Sequence, residues 1–294
     1  MKIFKTIIVV ILLVGVAFTA YGFIATKGNF QAIISAFSQD DDFVLVEKNG
    51  ADLINEVVIT GSTHNIIINR NTTEDYDLTY YDAEYDYFEF SILDQKLTLK
   101  NIYQHRLFRW GFKSEQVSTI TINLPLSFAG KIKAETGTGR IAIEDFDSLT
   151  TLQLSSSTGD VNAKQIDATG KIDLNTSTGR VKIENSTGLE IEATTSTGDV
   201  IIDTATVTKL VARTSTGRVD LNNLTADDIR GTSSTGSVKM DINGLEDDYR
   251  VEVSVSTGDI TFQGVKISSQ TLNSSKLKSI YASTSTGDID IVIG

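Results

Sequence analysis

Four aspartates, each directly after a Thr-Gly pair, are the residues whose spacing could support chemistry: Asp160, Asp199, Asp259 and Asp288. If the segments around them stack about 4.8 Å apart, Asp160 and Asp199 lie two layers apart, near the upper limit for an inverting glycosidase pair. Asp259 and Asp288 would be nominal neighbours, near the separation of a retaining pair. Because no aromatic residue recurs beside these carboxylates, we expect solvated acidic corners, with a polysaccharide-cleaving site as the alternative.

The composition excludes several other chemistries. The 294 residues contain no cysteine, which removes disulfide scaffolds, thiolate metal sites and thiol nucleophiles. The two histidines, His64 and His105, are too few for a three-histidine metal site. The aspartate tracts at 40–42, 227–228 and 247–248 lack the spacing of calcium loops. We therefore expect no cofactor, no metal ion and no catalytic residue.

A net charge of −12 argues against nucleic acid as the main partner. Against that acidic background, the segment 102–115 concentrates basic and aromatic side chains. If exposed, it would contact anionic lipid headgroups or an anionic wall polymer; otherwise its aromatic side chains would cap one end of the fold. The candidate envelope-contact residues are Arg106, Phe108, Arg109, Trp110, Phe112 and Lys113.

The elements that position these residues follow from a repeat. Eight Thr-Gly pairs recur between residues 138 and 287, and the first six glycines are 19 or 20 residues apart. In all eight copies the positions seven before, two after and four after the glycine are apolar. This alternation indicates two short strands meeting at a corner, where glycine permits a positive φ. Stacking the copies predicts an all-β fold, a parallel β-solenoid of about eight S-T-G-[D/R]-V repeats.

The residue after each glycine completes a predicted corner ladder. Its charge alternates in sign over the first five copies, so neighbouring layers attract by about 1 kcal/mol rather than repel. This alternation disfavours a slip by one layer. The ladder consists of Gly139, Arg140, Gly159, Asp160, Gly179, Arg180, Gly198, Asp199, Gly217, Arg218, Gly236, Gly258, Asp259, Gly287 and Asp288.

Residues 43–130 lack the repeat, and we interpret them as the irregular start and cap of the solenoid, with a separate small β-domain as the alternative. The acidic and aromatic stretch 74–90 is typical of an amphipathic strand pair with a turn near Asp82. Five strands are predicted here, at 57–60, 65–69, 85–92, 96–102 and 118–125.

The solenoid repeats occupy residues 131–294 and end on a strand. No polar capping segment follows that strand in the sequence. An uncovered terminal layer is a template for strand addition, so we expect this end to pair with another protomer or a partner protein. The alternative is that Asp288 and Asp290 prevent such pairing.

The N-terminus predicts an uncleaved membrane anchor. Lys2 and Lys5 precede an uncharged stretch from Thr6 to Thr26, enough to span a hydrocarbon core of roughly 30 Å. A cleaved signal peptide is the alternative. The charges that flank the stretch predict a single-pass protein of the plasma membrane, with a cytoplasmic N-terminus and the bulk of the chain outside. The anchor region covers 1–27 and a juxtamembrane linker covers 28–42.

The strand STITINLP at 118–125, followed by KIKAETGTGRI and serial STGDV and STGRV repeats, resembles the bacterial putative-adhesin family of unknown function. The resemblance covers about residues 43–294. LiaG-like members of that family are membrane-anchored envelope proteins. The resemblance therefore implies an extracytoplasmic β-solenoid associated with adhesion or envelope-stress signalling, and it carries over no catalytic residue.

These observations predict a non-catalytic binding, adhesion or signalling module at the cell envelope. Its expected partners are membrane lipid, through the N-terminal helix, and either an anionic wall polymer or another membrane protein. Two alternatives stay open: a β-helical enzyme acting on cell-wall or capsule polysaccharide, and a self-associating structural scaffold.

Overall fold

The computed structural model describes Tyr21, residues 42–104 and residues 114–294. Apart from Tyr21 and Asp42, the predicted membrane anchor and the predicted linker lie outside the described residues. Among the residues that are described, no helix is long and apolar enough to cross a membrane. The described residues from 44 onward form 22 strands, which join into one sheet.

The middle of the chain is a stack of parallel coils, which confirms the predicted solenoid. Leu152 pairs in register with Ile172, and Ile172 pairs with Ile191 in the next coil. These aliphatic side chains point inward and are almost completely buried. The strands of the middle are β8 (Lys131–Thr138), β9 (Ile141–Leu149), β10 (Thr151–Thr158), β11 (Val161–Ala168), β12 (Lys171–Thr178), β13 (Val181–Thr197), β14 (Val200–Thr216), β15 (Val219–Thr235) and β16 (Val238–Ile242).

Each middle coil has three inward-facing runs rather than the two that the sequence predicts. The additional bend lies six residues after the corner glycine, where a residue other than glycine has φ between 48° and 69°. A buried residue follows this bend and begins the third run, as Ala205 and Leu224 do in β14 and β15. The left-handed residues are Asp145, Gln165, Asn185, Thr204 and Asn223.

The N-terminal end does not stack in sequence order. β2 pairs in parallel with both β6 and β8, and β3 pairs in parallel with both β7 and β9. The coil made by β2 and β3 is thus inserted between two coils that come later in the chain. The strands of this end are β1 (Val44–Gly50), β2 (Glu56–Gly61), β3 (Asn65–Arg70), β4 (Tyr76–Asp82), β5 (Asp86–Leu93), β6 (Lys96–Tyr103) and β7 (Thr119–Leu124).

Antiparallel strands cover the outermost N-terminal coil. β5 lies against β6, β4 lies against β7, and β1 adds to the outer edge of β4. All five strands predicted in this region are present, each within about two residues of its predicted bounds. The predicted pairing within 74–90 is wrong, because β4 and β5 separate onto different runs of the outer coil and share a single bridge, Ala83 to Asp86.

The C-terminal end repeats the out-of-order arrangement. β21 pairs in parallel with both β15 and β17, and β22 pairs in parallel with both β16 and β18. The last coil in the sequence is therefore the last but one in space. The elements here are a short 3-10 helix (Glu246–Asp248), β17 (Tyr249–Thr257), β18 (Ile260–Phe262), β19 (Val265–Ile267), β20 (Gln270–Leu272), β21 (Lys278–Thr286) and β22 (Ile289–Ile293).

The expected uncovered C-terminal strand is accordingly wrong. β22 has a parallel partner on each side, so its edges are already hydrogen-bonded. The outermost coil is formed by β17 and β18, which β20 and β19 cover in antiparallel pairing. The segment between residues 260 and 286 supplies these two covering strands.

One continuous apolar core runs the length of the stack, from Ile54 to Ile293. Side-chain sizes are matched within a coil. Gly231, for instance, faces Met240, whose terminal methyl would lie 2.4 Å from a β-carbon added to the glycine. Because the core is filled in this way, any site for a ligand must lie on the outer surface or at a corner.

Candidate functional site

The corner glycines form a single column along the stack. All eight have φ between 133° and 150°, a region that other residues rarely adopt. A β-carbon on Gly198 would lie 2.1 Å from the carbonyl oxygen of Gly179. The backbone N–H of Gly198 donates to the carbonyl of Thr216, 2.8 Å away in the following coil. Glycine is therefore required here both by backbone conformation and by close stacking.

A ladder of buried hydroxyl groups supports this column and was not predicted. The Thr214 hydroxyl, three residues before a corner glycine, donates to the carbonyl of Gly198 at 2.8 Å. Seven coils repeat this bond, and in the first of them the acceptor is the carbonyl of His64, which takes the glycine position. The donors are Thr136, Ser156, Thr176, Thr195, Thr214, Ser233 and Thr284.

The charged corner positions serve the backbone. Asp160 accepts a hydrogen bond from the backbone N–H of Arg180 at 2.8 Å, and Asp199 accepts one from that of Arg218 at 3.0 Å. Arginine has only donors and cannot act in this way. The predicted alternation of charge along the corner therefore has a second meaning. The aspartate side chains accept a backbone hydrogen bond from the next coil, and the arginine side chains cannot.

The four aspartates considered for glycoside hydrolysis are engaged in such contacts. Asp199 also contacts the Arg218 guanidinium at 3.3 Å. Asp288 accepts from the backbone N–H of Asp259 at 2.9 Å, and Asp259 pairs with Lys266 at 2.6 Å. Structural contacts thus account for these carboxylates. Among the described residues, no cluster of three or more His, Cys, Asp or Glu side chains is arranged for a metal ion.

All the residues of the predicted contact loop lie outside the described residues. They are Arg106, Phe108, Arg109, Trp110, Phe112 and Lys113. The strands on either side of it are described. β6 ends at Tyr103 and β7 begins at Thr119, so the loop joins the two strands of the outermost N-terminal coil.

Two shallow grooves lie on the outer surface, and they differ in charge. The first, which we call the corner groove, has a volume of about 520 Å³ and is lined by four cationic and four carboxylate side chains. Two of the pairs in it, Lys164 with Glu144 and Lys182 with Glu184, are in direct contact. The charged lining residues are Arg140, Lys164, Arg180, Lys182, Glu115, Glu144, Asp160 and Glu184.

The second groove, which we call the arginine groove, lies across β14, β15, β21 and β17. Its volume is about 390 Å³, and four cationic side chains line it against two carboxylates. The guanidinium of Arg230 stacks on the ring of Tyr281, 4.3 Å from its centroid. The charged lining residues are Lys209, Arg213, Arg230, Arg250, Asp228 and Glu252.

The sequence contained a signal for part of this arrangement. The hydroxyl ladder is visible as Ser or Thr three residues before the glycine in seven of the eight copies, with Val255 as the exception. The arginine groove is not visible in this way, because Arg230 and Tyr281 become neighbours only through the out-of-order coil.

Comparison with known proteins identifies the sequence family. A family model described as Toastrack DUF4097 matches residues 54–292. No curated protein sequence matches the chain. The LiaG-like grouping is not addressed by this match and stays a prediction.

Several solved structures are similar in fold. A "putative adhesin" from Parabacteroides distasonis has 14% identity and a TM-score of 0.45, covering 86% of this chain and 98% of that one. One from Parabacteroides merdae has 15% identity and a TM-score of 0.43, covering 84% and 96%. A third, from Bacteroides fragilis, has 14% identity and a TM-score of 0.42, covering 85% and 97%. At these values the likeness carries no argument about function.

Proposed function

The chain belongs to the Toastrack DUF4097 family, and we propose that it is a membrane-anchored, extracytoplasmic module that binds an anionic component of the cell envelope without catalysis. The observation that carries this proposal is the arginine groove. In a chain with a net charge of −12, it gathers four cationic side chains against two carboxylates. Such a surface attracts anions, against a net charge of the whole chain that repels them.

The engagement of the corner aspartates favours binding over hydrolysis. A glycosidase needs one carboxyl group to act as an acid and a second to act as a base or nucleophile. Here the carboxylates of Asp160 and Asp199 accept backbone hydrogen bonds, and Asp259 is paired with Lys266. These contacts hold the coils in register, which is a structural role.

The anchor at residues 6–26, its orientation and the contact loop form the part of the proposal that rests on sequence alone. The loop joins the strands of the outermost N-terminal coil, so it would add a second cationic surface at the end of the stack opposite to the arginine groove. The family resemblance also implies a role in envelope-stress signalling.

The test is co-sedimentation of the full chain, in a mild detergent, with isolated cell walls. We expect saturable binding that weakens as salt rises, because exposed charges are screened. Replacing Arg106, Arg109 and Lys113 by alanine should weaken the binding if the loop takes part.

A matched control removes the same charge elsewhere, through alanine at Arg140, Arg180 and Arg218, and should retain binding. Absence of any binding to walls would overturn the proposal. Hydrolysis of wall polysaccharide by the purified chain would favour the enzyme alternative instead.

A further inference from the structure

The floor of the arginine groove is an outward-facing valine. Leu210 and Ala212 point into the core and are fully buried, so Val211 between them must point outward. Val211 is nevertheless only 5% exposed. The long side chains around it cover its surface, as aliphatic stems of Lys and Arg commonly do. Its neighbours are Arg230, directly across on β15, Glu192, directly across on β13, and Arg213 on its own strand. The groove thus has an apolar floor and a cationic rim.

Arg230 is held in place by an aromatic ring. Its guanidinium carbon lies 4.3 Å from the centroid of Tyr281, and the two residues are paired in register between β15 and β21. Stacking on a ring fixes the plane of the guanidinium and leaves the N–H groups at its edge available to a ligand. The contact therefore orients a donor without consuming its hydrogen bonds.

The out-of-order coil is what leaves this arginine without an ion pair. If the coils stacked in sequence order, β15 would adjoin β17 and Arg230 would face Glu252, which pairs with Tyr281 in the observed register. Instead Glu252 pairs with Arg250 at 2.9 Å. The inserted coil replaces a carboxylate by a ring beside Arg230, so the positive charge stays uncompensated.

Arg213 and Arg230 differ from the other cations of the groove. Lys209 contacts Glu190 at 3.2 Å, and Arg250 is paired as described. Over residues 42–104 and 114–294, no carboxylate oxygen lies within the 4.0 Å ion-pair distance of Arg213 or Arg230. Both side chains are exposed. Glu192, which pairs with Lys171, lies close enough to Arg213 for that guanidinium to help lower the pKa of the Glu192 carboxyl, so the charge of Arg213 is partly compensated. Arg230 is the guanidinium group that a ring orients and no direct ion pair occupies.

The positions of these two arginines favour a tetrahedral anion. They sit diagonally on adjacent strands, with their Cα atoms about 8 Å apart by sheet geometry. A single fork can bind either a carboxylate or a phosphate. Two forks that approach from different directions can each meet one non-bridging oxygen of a tetrahedral phosphodiester, whereas both oxygens of a planar carboxylate face one side. Arg250 stands at the far side of the groove, three strands from β14 and about 14 Å away, so the groove can take an extended chain.

We propose that Arg213 and Arg230 bind a phosphodiester group of a linear polyol-phosphate polymer, with the polymer lying along the arginine groove toward Arg250. This inference deepens the proposed function and rests on it, because it names the class of envelope component that is bound. The charge complementarity between this groove and a polyanion is the observation that selects the partner.

The experiment uses the full chain in nanodiscs of zwitterionic lipid, titrated with synthetic poly(glycerol phosphate). Arg213→Gln/Arg230→Gln should raise the dissociation constant at least tenfold. It should also make the plot of log affinity against log salt concentration less steep, by analogy with other polyanions. Tyr281→Leu, which removes the ring on which Arg230 stacks, should raise the dissociation constant about threefold. Arg140→Gln/Arg180→Gln removes equal charge from the corner groove and should change it less than twofold. Circular dichroism melting checks that all variants fold.

Several outcomes would overturn the inference. The first is an equal loss of polymer affinity in the corner-groove variant. The second is equal affinity for polygalacturonate, a carboxylate polymer. The third is binding to phosphatidylglycerol vesicles without binding to the polymer. Self-association that saturates the groove would also overturn it. If the polymer fails to bind while wall co-sedimentation persists, this inference falls and the proposed function stands. If both assays fail, both fall.

Discussion

The middle of the stack and its two ends solve the same packing problem in different ways. Between residues 131 and 242 each coil lies on the one before it in sequence, and the glycine and hydroxyl ladders repeat at the same Thr-Gly corner of every coil. At both ends a coil is inserted out of order, and antiparallel strands cover the outermost coil. The middle is periodic because every coil has the same neighbours, and the ends are irregular because the outer coil has a neighbour on one side only.

This difference explains where a ligand surface can arise. In the middle, the outward positions of neighbouring coils carry compensating charges, such as Lys171 with Glu192 at 2.6 Å. At the C-terminal end the inserted coil changes which residues face each other, and Arg230 gains a tyrosine instead of a glutamate. The irregular end therefore leaves Arg230 without an ion pair, whereas Arg213 lies on β14 in the regular middle.

The largest expected contrast between middle and end concerns glycine. Gly198→Ala should cost at least about 3 kcal/mol, because it combines a φ of +133° with a β-carbon 2.1 Å from a carbonyl oxygen. Gly264→Ala, in the turn between β18 and β19, should cost about 1 kcal/mol, since no atom lies within 4 Å of the added carbon. Urea denaturation measures both, and equal losses would remove the distinction between stacked and free glycines.

A smaller contrast concerns the buried hydroxyl ladder. Thr214→Val keeps the shape but removes the donor to the Gly198 carbonyl, so we expect a loss of about 1–2 kcal/mol. At the outermost coil Val255 already occupies this position, and the reverse change Val255→Thr should alter stability by less than about 1 kcal/mol. A neutral Thr214→Val variant would show that the ladder does not stabilise the stack.

The smallest contrast is in pH dependence. The hydrogen bond from Lys171 lowers the pKa of the Glu192 carboxyl, against partial burial, which raises it. A lowered folded-state pKa stabilises the fold above the unfolded value of about 4.3, and this contribution disappears as pH falls through the folded pKa. Glu192→Gln should therefore remove about 0.5–1 kcal/mol of acid-sensitive stability.

The matched change at the C-terminal end is Asp259→Asn, which breaks an exposed pair with Lys266. It should leave the acid dependence of unfolding nearly unchanged, because exposed pairs contribute little. Thermal melts between pH 3 and pH 6 would decide the comparison, and identical profiles for both variants and the parent would contradict it.

Much of the middle could be predicted from the sequence, because local geometry determines it. Gly139 and its equivalents mark the corners, and the apolar positions around them fix the strand faces. The third run was missed because no single residue type marks its bend, as glycine marks the corner. Asp145 and Thr204, for example, occupy the bend in different coils. Strand candidates at the N-terminal end were also found from alternation alone.

The order of the end coils could not be predicted, because it depends on which coil pairs with which over long distances. A spacing of 29 residues between Gly258 and Gly287 suggests an insertion but does not say that the later coil lies inside the earlier one. The arginine groove depends on that order. Its residues were therefore absent from the sequence-based candidates, which rested on the segment 102–115 and the corners.

The order of the C-terminal coils can be measured directly with paired cysteines, since the native chain has none. Thr232 pairs with Ser283, and Ser283 pairs with Ser254, so Thr232 and Ser254 are two strands apart. Their Cα atoms are then about 10 Å apart, beyond the reach of a disulfide, whereas adjacent strands at about 5 Å are within it. Thr232→Cys/Ser283→Cys should oxidise readily and Thr232→Cys/Ser254→Cys should not. The reverse result would show that the coils stack in sequence order and would contradict both the fold of this end and the origin of the arginine groove.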